Sequence, residues 1–116
     1  MSENKQPIDV GKDFYYRLIY RDERLGDRKH NAREFRRRFL KEYDCEDVWK
    51  RDPKPIVFDF KNVKTIGPSF ASEAFAHFTQ YATPEQIRKI FLFVNISFVH
   101  KTIIDEEIDS GYSSRT

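Results

Sequence analysis

The pattern of apolar and polar positions divides the chain into alternating strand-like and helix-like segments. Runs rich in aromatic and β-branched residues predict strands, whereas apolar positions three and four residues apart predict amphipathic helices. The predicted strands are 8–10, 14–20, 56–60 and 90–94, and the predicted helices are 28–43, 69–81 and 95–111. This alternation predicts an α/β fold with a small, mostly parallel (mixed) β-sheet of about four strands, flanked by three helices and joined by right-handed crossovers.

The first helix shows the clearest apolar stripe. Ala32, Phe35, Phe39 and Tyr43 recur at spacings of three and four, and Leu40 widens the stripe. The basic residues of the same segment are predicted to point mainly away from the stripe; they are Arg33, Arg36, Arg37 and Lys41. Residues 44–55 are predicted to form a connector, because Pro53 and Pro55 oppose any helix.

The second half of the chain supplies most of the predicted core. The continuous apolar run Ile90–Val94 is typical of a strand that is covered on both faces. Thr83-Pro84-Glu85 is either a turn or a capped helical turn. The rings near the sheet are assigned to the core and not to a stacking surface; they are Phe58, Phe60, Phe91, Phe93 and Phe98. The last helix is predicted to begin at Asn95 or Ser97 and to end at Gly111.

Length and composition fit one domain. The chain has 116 residues, of which 16% are aromatic, so we expect a single domain over 8–110 with a flexible start at 1–7 and a flexible polar tail at 111–116. The start lacks the apolar run of a signal peptide, and no run approaches the ~18 apolar residues of a membrane span. The lone Cys45 excludes an internal disulfide. We therefore expect a cytoplasmic protein.

The most informative stretch is Ile56–Phe78, where a strand leads through Gly67-Pro68-Ser69 into a helix. In open α/β sheets, ligands and partners usually bind at this edge of the sheet. Ser69 is predicted to be the N-cap of the helix, a contribution of about 1 kcal/mol.

Several blocks resemble the STAS-like domains. They are Phe14, the Asn31–Arg36 segment leading to Leu40, the strand Ile56–Phe60 and the segment Ser69–Phe75. The Ser-Phe-x-x-Glu-Ala-Phe block is the most specific, and the resemblance covers roughly residues 8–108. STAS-like domains are small bacterial and phage-encoded domains, mostly of unassigned function, related to anti-sigma factor antagonists.

The resemblance implies a role for the turn before the second helix. In STAS anti-sigma antagonists, this turn carries a Ser or Thr that is phosphorylated by a kinase of the histidine-kinase-like ATPase fold. Their motif is roughly Asp-Ser-Ser-Gly, and Ser69 aligns with the phosphorylated Ser, while Gly67, Pro68 and Phe70 replace the other three residues. A phosphate there would lie at the positive end of a helix dipole. The candidate residues for phosphorylation or partner contact are Ser69, Gly67, Pro68, Phe70 and Glu73.

Glu73 has two structural interpretations, both favoured over a catalytic acid. It lies one turn after Ser69, where it could satisfy first-turn amides. Alternatively, it pairs with an arginine of the group Arg33–Arg38.

The basic helix offers an alternative function. Between Arg21 and Lys41 there are nine Lys or Arg against four Asp or Glu. This is either a solvated helix face or a contact surface for an acidic protein or for the phosphates of a nucleic acid, formed by Arg33, Arg36, Arg37 and Lys41. The net charge of only +2, the acidic segments 42–47 and 105–109 and the absence of a recognisable nucleic-acid-binding motif favour the first interpretation.

Other chemistry finds little support in the sequence. The histidines His30, His77 and His100 are scattered without ligand spacing, and His77 is predicted to lie at the margin of the core. The four glycines form no nucleotide loop, and Asp59 is a candidate buried carboxylate. We expect no metal, cofactor or catalytic site, but a regulatory protein–protein interaction module. The implied partner is a histidine-kinase-like ATPase or another regulatory protein, and the oligomeric state stays open.

Overall fold

The computed structural model describes residues 7–24 and 29–115. The strands are β1 (Ile8–Asp9), β2 (Arg17–Leu18), β3 (Ile56–Asp59), β4 (Thr65–Ile66) and β5 (Phe91–Val94). The α-helices are α1 (Val10–Asp13), α2 (Ala32–Phe39), α3 (Glu46–Lys50), α4 (Pro68–Ala74), α5 (Pro84–Ile90) and α6 (Phe98–Arg115). Two 3₁₀ segments, Lys41–Tyr43 and Ala76–Gln80, follow α2 and α4.

The sheets are parallel throughout the described residues. β3 lies between β1 and β5 in a three-stranded sheet, and β2 pairs with β4 in a separate two-stranded sheet. The predicted α/β class and parallel pairing are confirmed. The predicted count of about four strands in one sheet and three helices differs from the structure, which has five strands in two sheets and six α-helices over these residues.

Phenylalanine rings fill the space between the three-stranded sheet and the helices. Phe58 of β3 lies against Phe35 of α2, with 5.5 Å between ring centroids, and against Phe75 at 5.9 Å. Phe91 of β5 contacts Phe78 at 5.1 Å. Edge-to-face and tilted ring pairs of this kind bury large apolar areas in little chain length. The strand predicted over 14–20 is shortened to Arg17–Leu18.

The start of α2 is set by a side-chain cap. The Asn31 side chain accepts a hydrogen bond from the Glu34 N–H at 2.8 Å, so the helix begins at Ala32. The beginning predicted at Arg28 falls outside the described residues. The predicted apolar stripe is confirmed, since Ala32, Phe35 and Tyr43 are buried.

The predicted helix over 69–81 is two segments. It begins one residue earlier than predicted, at Pro68, and α4 gives way at Phe75 to the 3₁₀ segment Ala76–Gln80. Of the two alternatives for Thr83-Pro84-Glu85, the capped helical turn is confirmed. Thr83 and Gln86 each accept from the other's backbone N–H and form the capping box of α5.

Two predictions about chain ends and connectors were wrong. The segment 44–55 contains α3, whose Trp49 is buried and donates from its indole N–H to the Tyr43 carbonyl at 2.8 Å. Helix α6 continues through Gly111 to Arg115, so residues 111–115 are helical. A glycine fits at 111 because a Cβ there would lie 3.0 Å from the Ala76 Cβ.

The outer face of β5 is only partly covered. Leu92 and Val94 of β5 are 37% and 39% exposed, which contradicts the prediction of a strand covered on both faces. Phe98 was predicted to lie in the core, but it is 85% exposed in the first turn of α6. Among the described residues, no helix is long and apolar enough to cross a membrane.

Candidate functional site

The turn before α4 is held by the backbone. The Gly67 N–H donates to the Leu18 carbonyl at 2.8 Å, which fixes the turn against β2. Gly67 is the N-cap, without a side-chain capping bond, and Pro68 is the first helical residue. Proline is favoured at the first helical position because its fixed φ suits a helix and because the N–H that it lacks would have no helical partner there. Ser69 is therefore the second helical residue, and the prediction that it is the N-cap was wrong.

Ser69 and Pro68 are both exposed, and Gly67 is half-buried. Within residues 7–24 and 29–115, the Ser69 hydroxyl has no hydrogen-bond partner. Phe70 is fully buried and packs against Phe35 with 5.6 Å between ring centroids. Phe70 thus belongs to the core and not to the surface of the turn, which corrects its place among the predicted contact residues.

Glu73 pairs with an arginine of α2, as one of its two interpretations predicted. Its Oε2 lies 2.6 Å from Nη2 of Arg36, and its backbone carbonyl accepts from the Arg36 Nε at 2.9 Å. Its other carboxylate oxygen, Oε1, lies 3.3 Å from Nη1 of Arg21. The carboxylate therefore joins α4 to α2 and to the segment after β2.

The same arginine reaches further polar groups, which we call the Arg36 cluster: Arg36, Asp44, Glu73, His77 and Tyr81. Arg36 Nη1 lies 3.3 Å from Asp44 Oδ2 and 3.3 Å from His77 Nε2. Asp44 Oδ1 lies 2.9 Å from His77 Nε2 and accepts from the Tyr81 hydroxyl at 2.8 Å. The cluster ties α2, the connector before α3, α4 and the 3₁₀ segment after α4 together.

Burial and charge set the protonation of the cluster. Burial alone would raise the pKa of Asp44, but hydrogen bonds from His77 and Tyr81 and the charges of His77 and Arg36 outweigh it, so this pKa is lowered. Burial and the hydrogen bond to Asp44 raise the pKa of Tyr81 to about 12. At neutral pH, Asp44 is ionised and Tyr81 is protonated, which suits each to its hydrogen bond.

Sequence reasoning missed Asp44 and Tyr81 and misplaced Arg36. Arg36 was predicted to point away from the apolar stripe, yet its side chain is only 12% exposed. A signal was present, because Arg36 lies four residues after Ala32 and next to Phe35, at the edge of the buried stripe. His77 was correctly placed at the margin of the core, edge-on to Phe78 with 5.0 Å between ring centroids.

The predicted basic face is largely neutralised. Arg33 pairs with Glu23 at 3.3 Å, and Arg37 pairs with Glu34 through two hydrogen bonds of 2.6 and 2.9 Å. With Arg36 held in its cluster, Lys41 is the member of this face without an ion-pair partner in the described part of the chain. Little unpaired charge on this face is therefore left for the phosphates of a nucleic acid.

Asp59, the predicted buried carboxylate, caps the loop after β3. It is 8% exposed and accepts from the Lys61 N–H at 2.9 Å and from the Asn95 side-chain amide at 3.1 Å. The backbone hydrogen bond from Lys61 is the main reason why its pKa is lowered. Over the residues that the structure describes, no group of His, Cys, Asp and Glu could hold a metal ion.

Comparison with known proteins agrees with the resemblance found in the sequence. A family model described as "STAS-like domain of unknown function (DUF4325)" matches residues 31–99, which is more than half of the chain. The matched segment runs from the Asn31 cap through the Ser69 turn to the start of α6. Searches of curated proteins and of solved structures returned no match.

Proposed function

The chain belongs to the family of STAS-like domains of unknown function, and from this premise we propose that it is a non-catalytic module for regulatory protein–protein interaction. The proposed contact surface is the turn Gly67-Pro68-Ser69 with the exposed side of α4. The observation that carries the proposal is the exposed Ser69 hydroxyl, which has no hydrogen-bond partner in the described residues. It lies on a turn that the hydrogen bond from Gly67 to Leu18 holds in place.

The rigidity of this surface suits binding. The hydrogen bond from Gly67 to Leu18 holds the turn, and the two bonds from Arg36 to Glu73 hold the helix that follows it. A surface that is already ordered loses little conformational entropy when a partner binds. The pairing between α2 and α4 therefore contributes to affinity without touching the partner.

Phosphorylation of Ser69 is the proposed switch. A phosphate adds about −1.5 to −2 charges at neutral pH and three strong acceptor oxygens. Ser69 and Glu73 lie four residues apart in α4, on the same side of the helix, and Arg21 holds Glu73 at 3.3 Å with a side chain that is 41% exposed. A phosphate on Ser69 would compete with Glu73 for Arg21 and place negative charge in the contact surface.

The proposed partner is a histidine-kinase-like ATPase or another regulatory protein, and the interaction would take place in the cytoplasm. This partner follows from the resemblance of the Ser69 turn to the phosphorylated turn of anti-sigma factor antagonists. The protein would bind in one phosphorylation state and release in the other.

The test uses the purified chain and a purified kinase of the histidine-kinase-like ATPase fold. Ser69→Asp and Ser69→Ala are compared with wild type by titration calorimetry, with Ser110→Asp as the control because Ser110 is an exposed helical serine in α6. We expect Ser69→Asp to change the dissociation constant at least about tenfold, or 1.4 kcal/mol, and Ser110→Asp to leave it unchanged. Equal binding by both Ser69 variants and wild type, with no phosphate transferred to Ser69, would show that the switch is wrong.

A further inference from the structure

Strand β5 forms an edge of the three-stranded sheet, and no described strand lies beyond it. It consists of four apolar residues, Phe91–Val94, without a charge or a proline. The opposite edge, β1, has only two residues, follows Pro7 and includes Asp9. Natural proteins protect free edges with short strands, prolines or charges. The β1 edge has this protection and the β5 edge lacks it.

The backbone of β5 presents hydrogen-bonding groups on its free side. The Phe60 N–H donates to the Val94 carbonyl at 3.0 Å, so the Val94 carbonyl faces β3. Because groups alternate along a strand, the N–H and carbonyl of Phe93, the carbonyl of Phe91 and the N–H of Asn95 point away from β3. The Phe91 N–H is already bonded to the Ile87 carbonyl of α5.

The side chains of β5 are apolar, and charged side chains of α5 and α6 lie beside the strand. Leu92 and Val94 are partly exposed on the outer face. An open groove of about 200 Å³ runs along β5. Its lining is apolar at Ile87, Phe91, Leu92, Phe93 and Ile108 and charged at Arg88, Lys101 and Asp105. Beyond the strand, α6 begins with the exposed Phe98 and Val99. A partner strand would thus cover the apolar side chains of β5 and lie beside the ion pairs that Arg88 and Lys101 form with Asp105.

We propose that the β5 edge binds a second copy of this chain, with the two β5 strands antiparallel about a two-fold axis at Phe93. In this register, the Phe93 residues of the two copies exchange their N–H and carbonyl groups, and each Asn95 N–H meets the Phe91 carbonyl of the other copy. Every outward backbone group of β5 then has a partner. The three strands of each copy join in one continuous sheet.

The same register pairs the exposed side chains. Leu92 of one copy lies opposite Val94 of the other, on the outer face, in a non-hydrogen-bonded pair whose Cα atoms are about 4.5 Å apart. The two residues that the sheet leaves 37% and 39% exposed therefore cover each other. This reciprocal fit is what a two-fold interface requires, because the same patch must match itself.

A basic side chain and an aromatic ring at the two ends of β5 can also meet across the proposed interface. Antiparallel pairing places the end of one strand beside the start of the other, so Phe98 of one copy approaches the last turn of α5 in the other. That turn carries the exposed Lys89, which has no ion-pair partner in the described ranges. A lysine ammonium binds favourably over an aromatic face. A stable dimer needs about 600–1,000 Å² per copy, of which each Phe98 supplies roughly 150 Å².

The first test measures oligomeric state by sedimentation velocity of the full chain over a series of concentrations. We expect a dimer that dissociates on dilution. Leu92→Lys should raise its dissociation constant about a hundredfold, because the change acts once in each copy and each loss is about tenfold. Tyr16→Lys is the matched control, since Tyr16 is 42% exposed and lies outside this edge, and it should leave dimerisation unchanged.

The second test checks the register with cysteines in a Cys45→Ser background, because Cys45 is exposed and free. A mixture of Leu92→Cys and Val94→Cys chains should form a disulfide between the copies. Leu92→Cys alone should not, since two copies of residue 92 would be about 8 Å apart, beyond disulfide reach. A monomer at every concentration would overturn the proposal, as would a dimer insensitive to Leu92→Lys or one that cross-links in another pattern. A monomer whose β5 edge binds a peptide or another protein would overturn it too.

Discussion

The Arg36 guanidinium binds both the side-chain carboxylate and the backbone carbonyl of Glu73. One guanidinium nitrogen lies 2.6 Å from the carboxylate, and the Nε donates to the backbone carbonyl of the same residue at 2.9 Å. Because Glu73 lies in α4 one turn after Ser69, this double contact sets the position of the helix that carries the proposed switch. Arg36 of α2 thus stabilises the Ser69 surface without being part of it.

Removing Arg36 should therefore be costly to stability. Arg36→Ala removes the shorter ion pair of Glu73, which keeps only Arg21 at 3.3 Å, and it takes the guanidinium away from Asp44. We expect the free energy of unfolding to fall by about 2–4 kcal/mol. Arg37→Ala is the control, since Arg37 is 67% exposed and its surface pair with Glu34 is worth about 0–1 kcal/mol. Urea denaturation measures both. Similar losses for the two variants would mean that the Arg36 cluster is no more important than a surface ion pair.

Asp44 should contribute to the loss of stability in acid. Its pKa is lowered in the folded protein by His77, Tyr81 and Arg36, so its stabilising effect is present above the unfolded pKa and disappears as the pH falls through the folded pKa. We expect Asp44→Asn to be less stable than wild type at neutral pH, with a smaller further loss below about pH 4. The check is the free energy of unfolding measured in urea across the acidic range.

Other carboxylates bear on that measurement. The pKa values of Asp22, Glu34 and Asp59 are also lowered, the first two mainly by side-chain hydrogen bonds from Arg24 and Arg37 and the third by a backbone bond from Lys61. Wild type and Asp44→Asn share these groups, so only the difference between the two curves reports on Asp44. If the free energies of unfolding of the two proteins changed in parallel with pH, the pKa of Asp44 would be the same in the folded and the unfolded state, and the prediction would be wrong.

Tyr81 should lose its proton only at high pH. Burial and its bond to Asp44 raise its pKa to about 12, and burial followed by the charge of Glu42 does the same for Tyr43. In a titration of tyrosinate absorbance, we expect a late-ionising fraction in wild type that Tyr81→Phe reduces. An unchanged late fraction in Tyr81→Phe would contradict the hydrogen bond to Asp44.

The parts of the fold that the sequence predicted are those where local pattern and packing agree. The strand at Ile56–Asp59 and the stripe of α2 are buried runs with the expected period, and both were found. The helix break at Phe75 and the continuation of α6 through Gly111 depend on how these two segments pack on each other, which no local pattern shows. The core position expected for Phe98 was wrong for a related reason, because the packing around the start of α6 depends on the whole fold.

The sequence predicted only part of the candidate site. The resemblance pointed to Ser69, and the pairing of Glu73 with an arginine of the first helix was among the alternatives. Proline at the first helical position moved the cap to Gly67, a shift of two residues that the Gly-Pro-Ser order permits. Tyr81 contacts Asp44 across 37 residues of the chain, and Asp44 lies eight residues after Arg36, beyond the end of α2, so helical spacing could not reveal either residue.

Arg21 should couple to a negative charge at Ser69. Arg21 holds Glu73 at 3.3 Å and is partly exposed, so it can turn to a charge placed one turn earlier in α4. In a double-mutant cycle of Ser69→Asp with Arg21→Ala, measured by the free energy of unfolding, we expect a favourable coupling of about 0.5–1 kcal/mol. The cycle of Ser110→Asp with Arg21→Ala supplies the control and should show none. A coupling near zero at Ser69 would mean that Arg21 stays with Glu73, and the proposed exchange of partners would be wrong.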